Sequence, residues 1–121
     1  MTISEMSKRS GFSIHTLRYY EKEGLLTNIA RNASGRRVYS ETDVIWLTWI
    51  QRLKSTGMRL EDIKRFADLR SLGDLSIPDR KNMLVEHSKK LKADIQRLQD
   101  ELNLVEYKVA AYQEKENELL T

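Results

Sequence analysis

Cysteine is absent from all 121 residues of the chain. This absence excludes disulfides, thiolate metal ligands, iron–sulfur clusters and cysteine-based redox sensing. Long apolar runs are missing too, and the N-terminus lacks the charged start and apolar core of a signal peptide, so we expect a cytoplasmic protein with no membrane partner. A single proline leaves the composition compatible with long helices.

Charge is unevenly placed along the chain, although the net value is only +3. Residues 1–60 contain ten Lys and Arg against five Asp and Glu, whereas residues 61–121 contain eleven against thirteen. A basic N-terminal half is typical of a protein that contacts a polyanion. Because an asymmetry of a few charges is also common by chance, this feature indicates DNA only in combination with motifs.

The first motif predicts two short helices joined by a tight turn. Thr2 and Glu5 have the spacing of a capping box, so a helix starts there and ends at Gly11. Ser13 is a good cap for the next helix. Its core-facing residues recur three apart: Ile14, Leu17 and Tyr20. Two capped helices around a glycine-containing turn form a helix-turn-helix arrangement.

The outer face of the second helix suits recognition of DNA in the major groove. Arg18 can pair with a guanine edge or a phosphate, His15 and Thr16 can reach bases or phosphates, and Tyr19 can donate its hydroxyl to a phosphate. For any one residue the alternative is an exposed helix face without a ligand. For the set, together with the basic segment that follows, we favour DNA.

That basic segment predicts a small hairpin. Residues 32–35 are rich in turn formers and precede Val38, which is typical of a two-stranded ribbon. Arg36 and Arg37 lie beside the turn glycine, where their guanidinium groups can reach phosphates or a minor groove, and Arg31 can assist from the other arm. The alternative is a charged turn that only improves solubility.

Two further helices follow the hairpin. Ser40 and Asp43 predict the start of a third helix that ends near Gly57. A second amphipathic run begins at Leu60 and is closed by Gly73. A short segment then separates this run from the long C-terminal stretch.

From Pro78 onward the chain contains no glycine or further proline, so a long helix is predicted. Apolar residues there alternate in spacings of four and three, which defines a heptad seam. We expect the seam to pair with the same helix of a second copy, giving a homodimer; the alternative is that the helix folds back on the N-terminal domain. The predicted dimerisation residues are Leu91, Ile95, Leu98, Leu102, Val105 and Val109.

The chain resembles the MerR family of bacterial transcription regulators. Three segments in order carry the resemblance: residues 17–21, 35–39 and 57–63, which read LRYYE, GRRVY and GMRLEDI. The resemblance implies a mainly α fold with a winged helix-turn-helix domain and linking helices at 1–72, a linker at 73–78, and an antiparallel coiled-coil dimerisation helix at 79–118. It also implies a homodimer on a pseudo-palindromic promoter operator, distortion of the promoter DNA, and RNA polymerase as a further partner.

The resemblance also assigns DNA contacts by position. In the second helix the matching residues are Thr16, Arg18 and Tyr19, to which the reading of the helix face adds His15. In the hairpin, or wing, the matching residues are Arg37 and Tyr39, with Arg36 as a further contact. In the third helix Lys54 lies where it approaches a phosphate.

The departures from the family concern sensing. Metal, redox and many aldehyde sensors of the family rely on cysteine, and multidrug sensors carry a separate C-terminal ligand domain; this chain ends after the predicted coiled coil. We therefore expect no cofactor and no metal, since His87 on the long helix is a poor metal site by itself. Trp46 and Trp49 are expected in the core rather than around a ligand. Arg59 replaces the Ser or Thr that commonly caps the fourth helix in relatives.

The functional hypothesis is a dimeric, promoter-binding regulator. The alternative is a coiled-coil adaptor that binds a protein and has no specific DNA binding. We find no nucleophile and base pair, metal-ligand cluster or phosphate loop, so an enzyme is not expected.

Overall fold

The computed structural model describes residues 1–121, which form five α-helices and one two-stranded hairpin. The chain divides into two units, Met1–Leu84 and Val85–Thr121. The elements, in order, are α1 (Ile3–Ser10), α2 (Ile14–Lys22), β1 (Ala30–Arg31), β2 (Arg37–Val38), α3 (Glu41–Ser55), α4 (Leu60–Ser71), a short 3-10 turn (Gly73–Ser76) and α5 (Ile77–Leu120). The mainly helical fold class is confirmed.

The ends of α1 and α2 are set by local capping. The Thr2 hydroxyl accepts from the Glu5 backbone N–H at 3.2 Å, and the Ser13 hydroxyl accepts from that of Thr16 at 3.0 Å. Gly11 ends α1 with φ of +79°, a left-handed conformation that glycine adopts without steric cost. The helix-turn-helix therefore follows from three capping residues.

A single apolar core holds the first unit together. Trp46 lies within it, donating its indole N–H to the Leu25 carbonyl at 2.6 Å and stacking on Phe66 with ring centroids 6.0 Å apart. Trp49 packs at the edge, so both tryptophans are structural, as expected. The buried apolar residues are Met6, Leu17, Tyr20, Leu25, Leu26, Tyr39, Trp46, Leu47, Ile50, Leu53, Met58, Ile63, Phe66 and Ala67.

The hairpin is short but closely constrained. Ala30 pairs with Val38 and Arg31 with Arg37 in antiparallel register. The side-chain oxygen of Asn32 accepts from the Arg36 N–H at 3.0 Å, which shapes the turn. Beyond β2, the backbones of Tyr39 and Met1 exchange two hydrogen bonds of 2.8 Å. A hairpin of this size is marginal in isolation, so these attachments to the rest of the unit are needed.

The start of α4 and the segment after it show what capping predicts well and what it misses. Arg59 precedes α4 without any side-chain capping hydrogen bond, as its substitution for Ser or Thr predicts. The segment 73–78, expected to be a linker, is helical instead, because the buried Ser76 hydroxyl bonds the carbonyl oxygens of Leu69 and Gly73 and accepts from Arg80. α5 consequently begins at Ile77.

The second unit consists of α5 residues and Thr121, and no residue of it is buried. Five residues of the heptad seam are between 48% and 62% exposed in the single chain: Ile95, Leu98, Leu102, Val105 and Val109. The sixth, Leu91, is half-buried. None of the helices of the chain is long and apolar enough to cross a membrane.

Candidate nucleic-acid interface

The outer face of α2 presents the side chains that the sequence singled out. Leu17 and Tyr20 anchor the helix in the core, which leaves His15, Arg18 and Tyr19 exposed. Thr16 is half-buried, and its hydroxyl accepts from the Ser13 hydroxyl at 2.9 Å. The buried side of α2 is therefore anchored in the core, and the side chains of His15, Arg18 and Tyr19 are exposed to solvent.

A groove of about 730 Å³ joins α2 to the hairpin, which we call the wing. Residues 1–5 form one wall through Met1, Thr2, Ile3 and Glu5, and the wing forms the other. Four arginines line this one groove: Arg18, Arg31, Arg36 and Arg37. The sequence proposed these residues separately, but only the folded chain brings them together.

The four arginines differ in how far they are already paired. The guanidinium groups of Arg18 and Arg36 make no hydrogen bond or ion pair within the chain, so all their donors are available to a ligand. Arg31 donates to the Gly35 carbonyl at 2.7 Å and so closes the wing turn. Arg37 donates through Nε to the Glu21 carboxylate at 2.5 Å. A concave surface with this much positive charge favours a polyanion.

Tyr39 lies beneath the wing. It was predicted to contact DNA, yet its side chain is only 2% exposed and its hydroxyl donates to Glu21 at 2.5 Å. The ring fills the core beneath the wing, and the hydroxyl is already used. Burial and the Glu21 carboxylate raise the pKa of Tyr39, since both disfavour the phenolate. Tyr39 supports the wing from below, and its contact with DNA stays a prediction.

Glu21 is the residue of this site that the sequence reading missed as a functional group. Its side chain is 14% exposed, and it accepts from both Arg37 and Tyr39. The only available signal was its place in the LRYYE segment, where an acid within a predicted DNA-binding helix is unexpected. Spacing does not reveal the wing residues that the carboxylate meets.

Two lysines flank α2 from neighbouring helices. Lys54 of α3 is exposed, and its ammonium group donates to the Tyr20 hydroxyl at 3.2 Å. Lys64 of α4 pairs with Glu23 at 2.5 Å. Their hydrogen bond lowers the pKa of the Glu23 carboxyl and raises that of Lys64. Lys54 thus adds positive charge beside α2, whereas the charge of Lys64 is offset.

The site contains a helix with an exposed face of the kind that enters a DNA groove, and a basic wing beside it. It contains no cluster of three or more side chains suited to a metal ion. These features define the class as a winged helix-turn-helix protein. Residues 1–69 match the family description "MerR HTH family regulatory protein", and residues 44–103 match "MerR, DNA binding". The chain belongs to the MerR family and is a helix-turn-helix transcriptional regulator.

Individual relatives agree with this assignment. A helix-turn-helix transcriptional regulator from Haemophilus influenzae is 43% identical over 112 residues, covering 93% of this chain and 83% of the relative. The crystal structure of HiNmlR, a MerR family regulator lacking the sensor domain and bound to promoter DNA, is 42% identical with a TM-score of 0.82, covering 93% of this chain and 90% of that one. A MerR family regulator from Bacillus thuringiensis is 32% identical with a TM-score of 0.76, covering 91% and 96%.

Proposed function

We propose that two copies of this chain bind a pseudo-palindromic promoter operator and regulate transcription by distorting the DNA. The observation that carries the proposal is the groove between α2 and the wing, which four arginines line. Two of those arginines are unpaired in the free chain, so DNA binding does not have to break an internal ion pair to engage them.

The proposed contacts divide between bases and backbone. Arg18, on the exposed face of α2, reads a base edge, with Thr16, His15 and Tyr19 contacting nearby bases or phosphates. In the wing, Arg36 and the terminal nitrogens of Arg37 bind phosphates. Lys54 on α3 binds a further phosphate next to α2.

Dimerisation through the heptad seam completes the proposal. The seam exposes apolar side chains along one face of α5, and an antiparallel coiled coil with a second copy would bury them. A two-fold symmetric dimer presents two recognition helices in opposite orientations, which matches a pseudo-palindrome. The dimerisation residues are those of the predicted seam, Leu91 to Val109.

Regulation, rather than catalysis, is the proposed role of the complex. HiNmlR was solved on promoter DNA, and by similarity we propose a promoter as the target here, with RNA polymerase as the second partner. A bound dimer can bend or untwist a flexible promoter at a cost of a few kcal/mol, which the extra contacts repay. Such a regulator acts where the chromosome lies, in the cytoplasm.

The adaptor alternative is disfavoured, because its apolar seam is equally required for a DNA-binding dimer and nothing in it explains the arginine-lined groove. The two hypotheses differ in salt dependence. Binding that neutralises phosphates weakens steeply as salt rises, whereas an apolar protein contact does not.

The experiment that tests the proposal is selection from a random duplex library, followed by titration of the enriched duplex at several salt concentrations. We expect a pseudo-palindrome whose affinity falls steeply with salt, with a slope of about −0.9 for each phosphate neutralised. Failure to enrich any sequence, together with binding that is insensitive to salt, would contradict the proposal and favour the adaptor.

A further inference from the structure

We propose that Glu21 is a positioning residue that fixes the wing against the recognition helix and thereby sets how well the protein discriminates its operator from other DNA. The inference rests on the proposed function and goes beyond it, since it assigns a specificity role to an acidic residue that is not expected to touch DNA. We call the contacts of Glu21 with Arg37 and Tyr39 the wing clasp.

The wing clasp joins two elements that are distant in sequence. Glu21 lies in the last turn of α2, and its two carboxylate oxygens accept separately, one from Arg37 Nε and one from the Tyr39 hydroxyl, each at 2.5 Å. The Glu21 side chain is 14% exposed. Both hydrogen bonds that join wing side chains directly to α2 end on this one residue. Partly buried hydrogen bonds to a charged group are stronger than neutral ones, so the link is substantial.

The negative charge of Glu21 weakens the electrostatic attraction of this surface to DNA. A carboxylate beside a DNA-binding groove repels phosphates and offsets the charge of Arg37, which lines that groove. By charge alone, a protein with glutamine or alanine at this position would attract DNA more strongly. The presence of the carboxylate is therefore better explained by what it orients than by overall affinity.

Orientation is what discrimination requires here. Phosphate contacts from the wing fix the register of the protein on the duplex, and base contacts from α2 then read sequence in that register. The strands of the wing span only two residues each, so the wing alone does not fix its orientation relative to α2. Through the wing clasp, Arg37 keeps its Nε on Glu21 while its side chain lines the groove. Without the wing clasp, the wing would still attract phosphates, but the register of the protein on the duplex would be less well fixed.

The test compares Glu21→Gln with Glu23→Gln. Both variants remove one negative charge from the same end of α2, but Glu23 pairs with Lys64 of α4 and touches no wing residue. Affinities are measured for the selected operator and for a random duplex of equal length at one salt concentration. We expect Glu21→Gln to lower the ratio of specific to non-specific affinity by about tenfold, without weakening binding to the random duplex. Glu23→Gln should leave the ratio unchanged.

A second readout follows the wing clasp in the free protein. Burial, and after it the hydrogen bond to Glu21, raise the pKa of Tyr39, so its phenol stays protonated in the folded protein. The hydroxyl of Tyr39 and the Nε of Arg37 both donate to Glu21, so Glu21→Gln should shift the nuclear magnetic resonance signals of the Tyr39 ring and of Arg37 Nε. Tyr39→Phe assigns the signal and, because it keeps the charge of Glu21, should lower the specificity ratio less than Glu21→Gln does. Tryptophan fluorescence of Trp46 and Trp49 verifies that each variant is folded.

The outcomes separate this inference from the function on which it rests. A wild-type protein that prefers no sequence would overturn the proposed function, and the specificity role of Glu21 with it. A specific wild-type protein whose Glu21→Gln variant is equally specific, or no less specific than Glu23→Gln, would overturn the inference alone. Unchanged Tyr39 and Arg37 resonances in Glu21→Gln would show that the wing clasp does not exist in solution.

Discussion

The two units of the chain treat their apolar residues in opposite ways. Met1–Leu84 buries fourteen apolar side chains in one core, whereas Val85–Thr121 buries none and leaves its heptad seam about half exposed. Burial of apolar surface is the main favourable term in folding. The first unit therefore supplies its own core, whereas the second exposes the apolar seam that we propose pairs with a second chain.

The ion pairs of the two units also differ in what they connect. In the first unit three of them connect separate elements, as in Arg9 of α1 with Glu41 of α3, and two are local to α4. In the second they lie within one helix at spacings of three or four, as in Arg97 with Glu101. Pairs of the second kind support a helix by a few tenths of a kcal/mol and specify no tertiary arrangement. Any specific packing of the second unit must therefore come from its apolar seam.

The largest expected effect comes from placing a charge in the seam. Leu98→Asp should convert the dimer to a monomer, because a coiled coil does not tolerate an unpaired carboxylate in its apolar interior. Operator affinity should fall by at least about 100-fold, since each subunit would then bind one half-site alone. Sedimentation gives the mass, and titration gives the affinity.

The matched control is Leu104→Asp, on the same helix but off the seam. Leu104 is 71% exposed, so its replacement should leave both the dimer and operator binding intact. Trp46 and Trp49 lie in the first unit, and their fluorescence should be unchanged in either variant. A monomeric Leu104→Asp with a dimeric Leu98→Asp would mean that the seam is wrongly placed on α5.

The next effect separates core from surface within the first unit. Leu47 of α3 is fully buried, so Leu47→Ala should lower the free energy of unfolding by about 2–5 kcal/mol. Two residues earlier, Ile45 is 70% exposed, and Ile45→Ala should change it by less than about 0.5 kcal/mol. Denaturant unfolding of the full chain, followed by tryptophan fluorescence, measures both. Equal effects would contradict the assigned orientation of α3.

A smaller pair of effects divides labour within the DNA-binding groove. Arg18→Ala should cost about 1–3 kcal/mol on the selected operator and relax the base preference. Arg36→Ala should weaken operator and random duplex alike and reduce the salt slope by about 0.9, since its guanidinium group is unpaired and suits a phosphate. Equal losses on both duplexes for both variants would show that Arg18 does not read a base.

The smallest effect concerns acid stability. The hydrogen bond from Arg9 lowers the pKa of the Glu41 carboxyl below its ordinary 4.5, so the pair stabilises the folded state above that pH and ceases to do so as pH falls through the lowered value. Wild type should therefore be slightly more stable than Glu41→Gln at neutral pH, and the difference should vanish once the pH is below the lowered pKa of Glu41. Denaturant unfolding across this range measures the difference. A difference that persists in acid would rule out the ion pair as its source.

Much of the fold could be predicted, because its signals are local. Thr2, Ser13 and Ser40 each cap the helix that the sequence assigned to them. The wing turn follows from Asn32 and from Gly35, whose φ of +79° suits glycine. Caps and turns act over three or four residues, so the sequence carries their full description.

The parts that could not be predicted depend on distant contacts. The family resemblance placed Tyr39 in the wing by position, but it did not reveal that the Tyr39 hydroxyl donates to Glu21, which lies 18 residues earlier. The helical turn at Gly73–Ser76 was missed because glycine and proline mark a break, while the hydrogen bonds of Ser76 reach back to Leu69. The residue contacts proposed for DNA, and the seam as a dimer interface, stay predictions.

The most direct test of the comparison between the two units is the binding of the full chain to two duplexes at fixed salt. One carries the selected operator, and the other carries the same operator with one half-site scrambled. If the first unit reads DNA and the second pairs two copies, two subunits bind the intact operator, and scrambling one half-site lowers the affinity by at least about 100-fold. Equal affinity for both duplexes, with one subunit on each, would contradict the account.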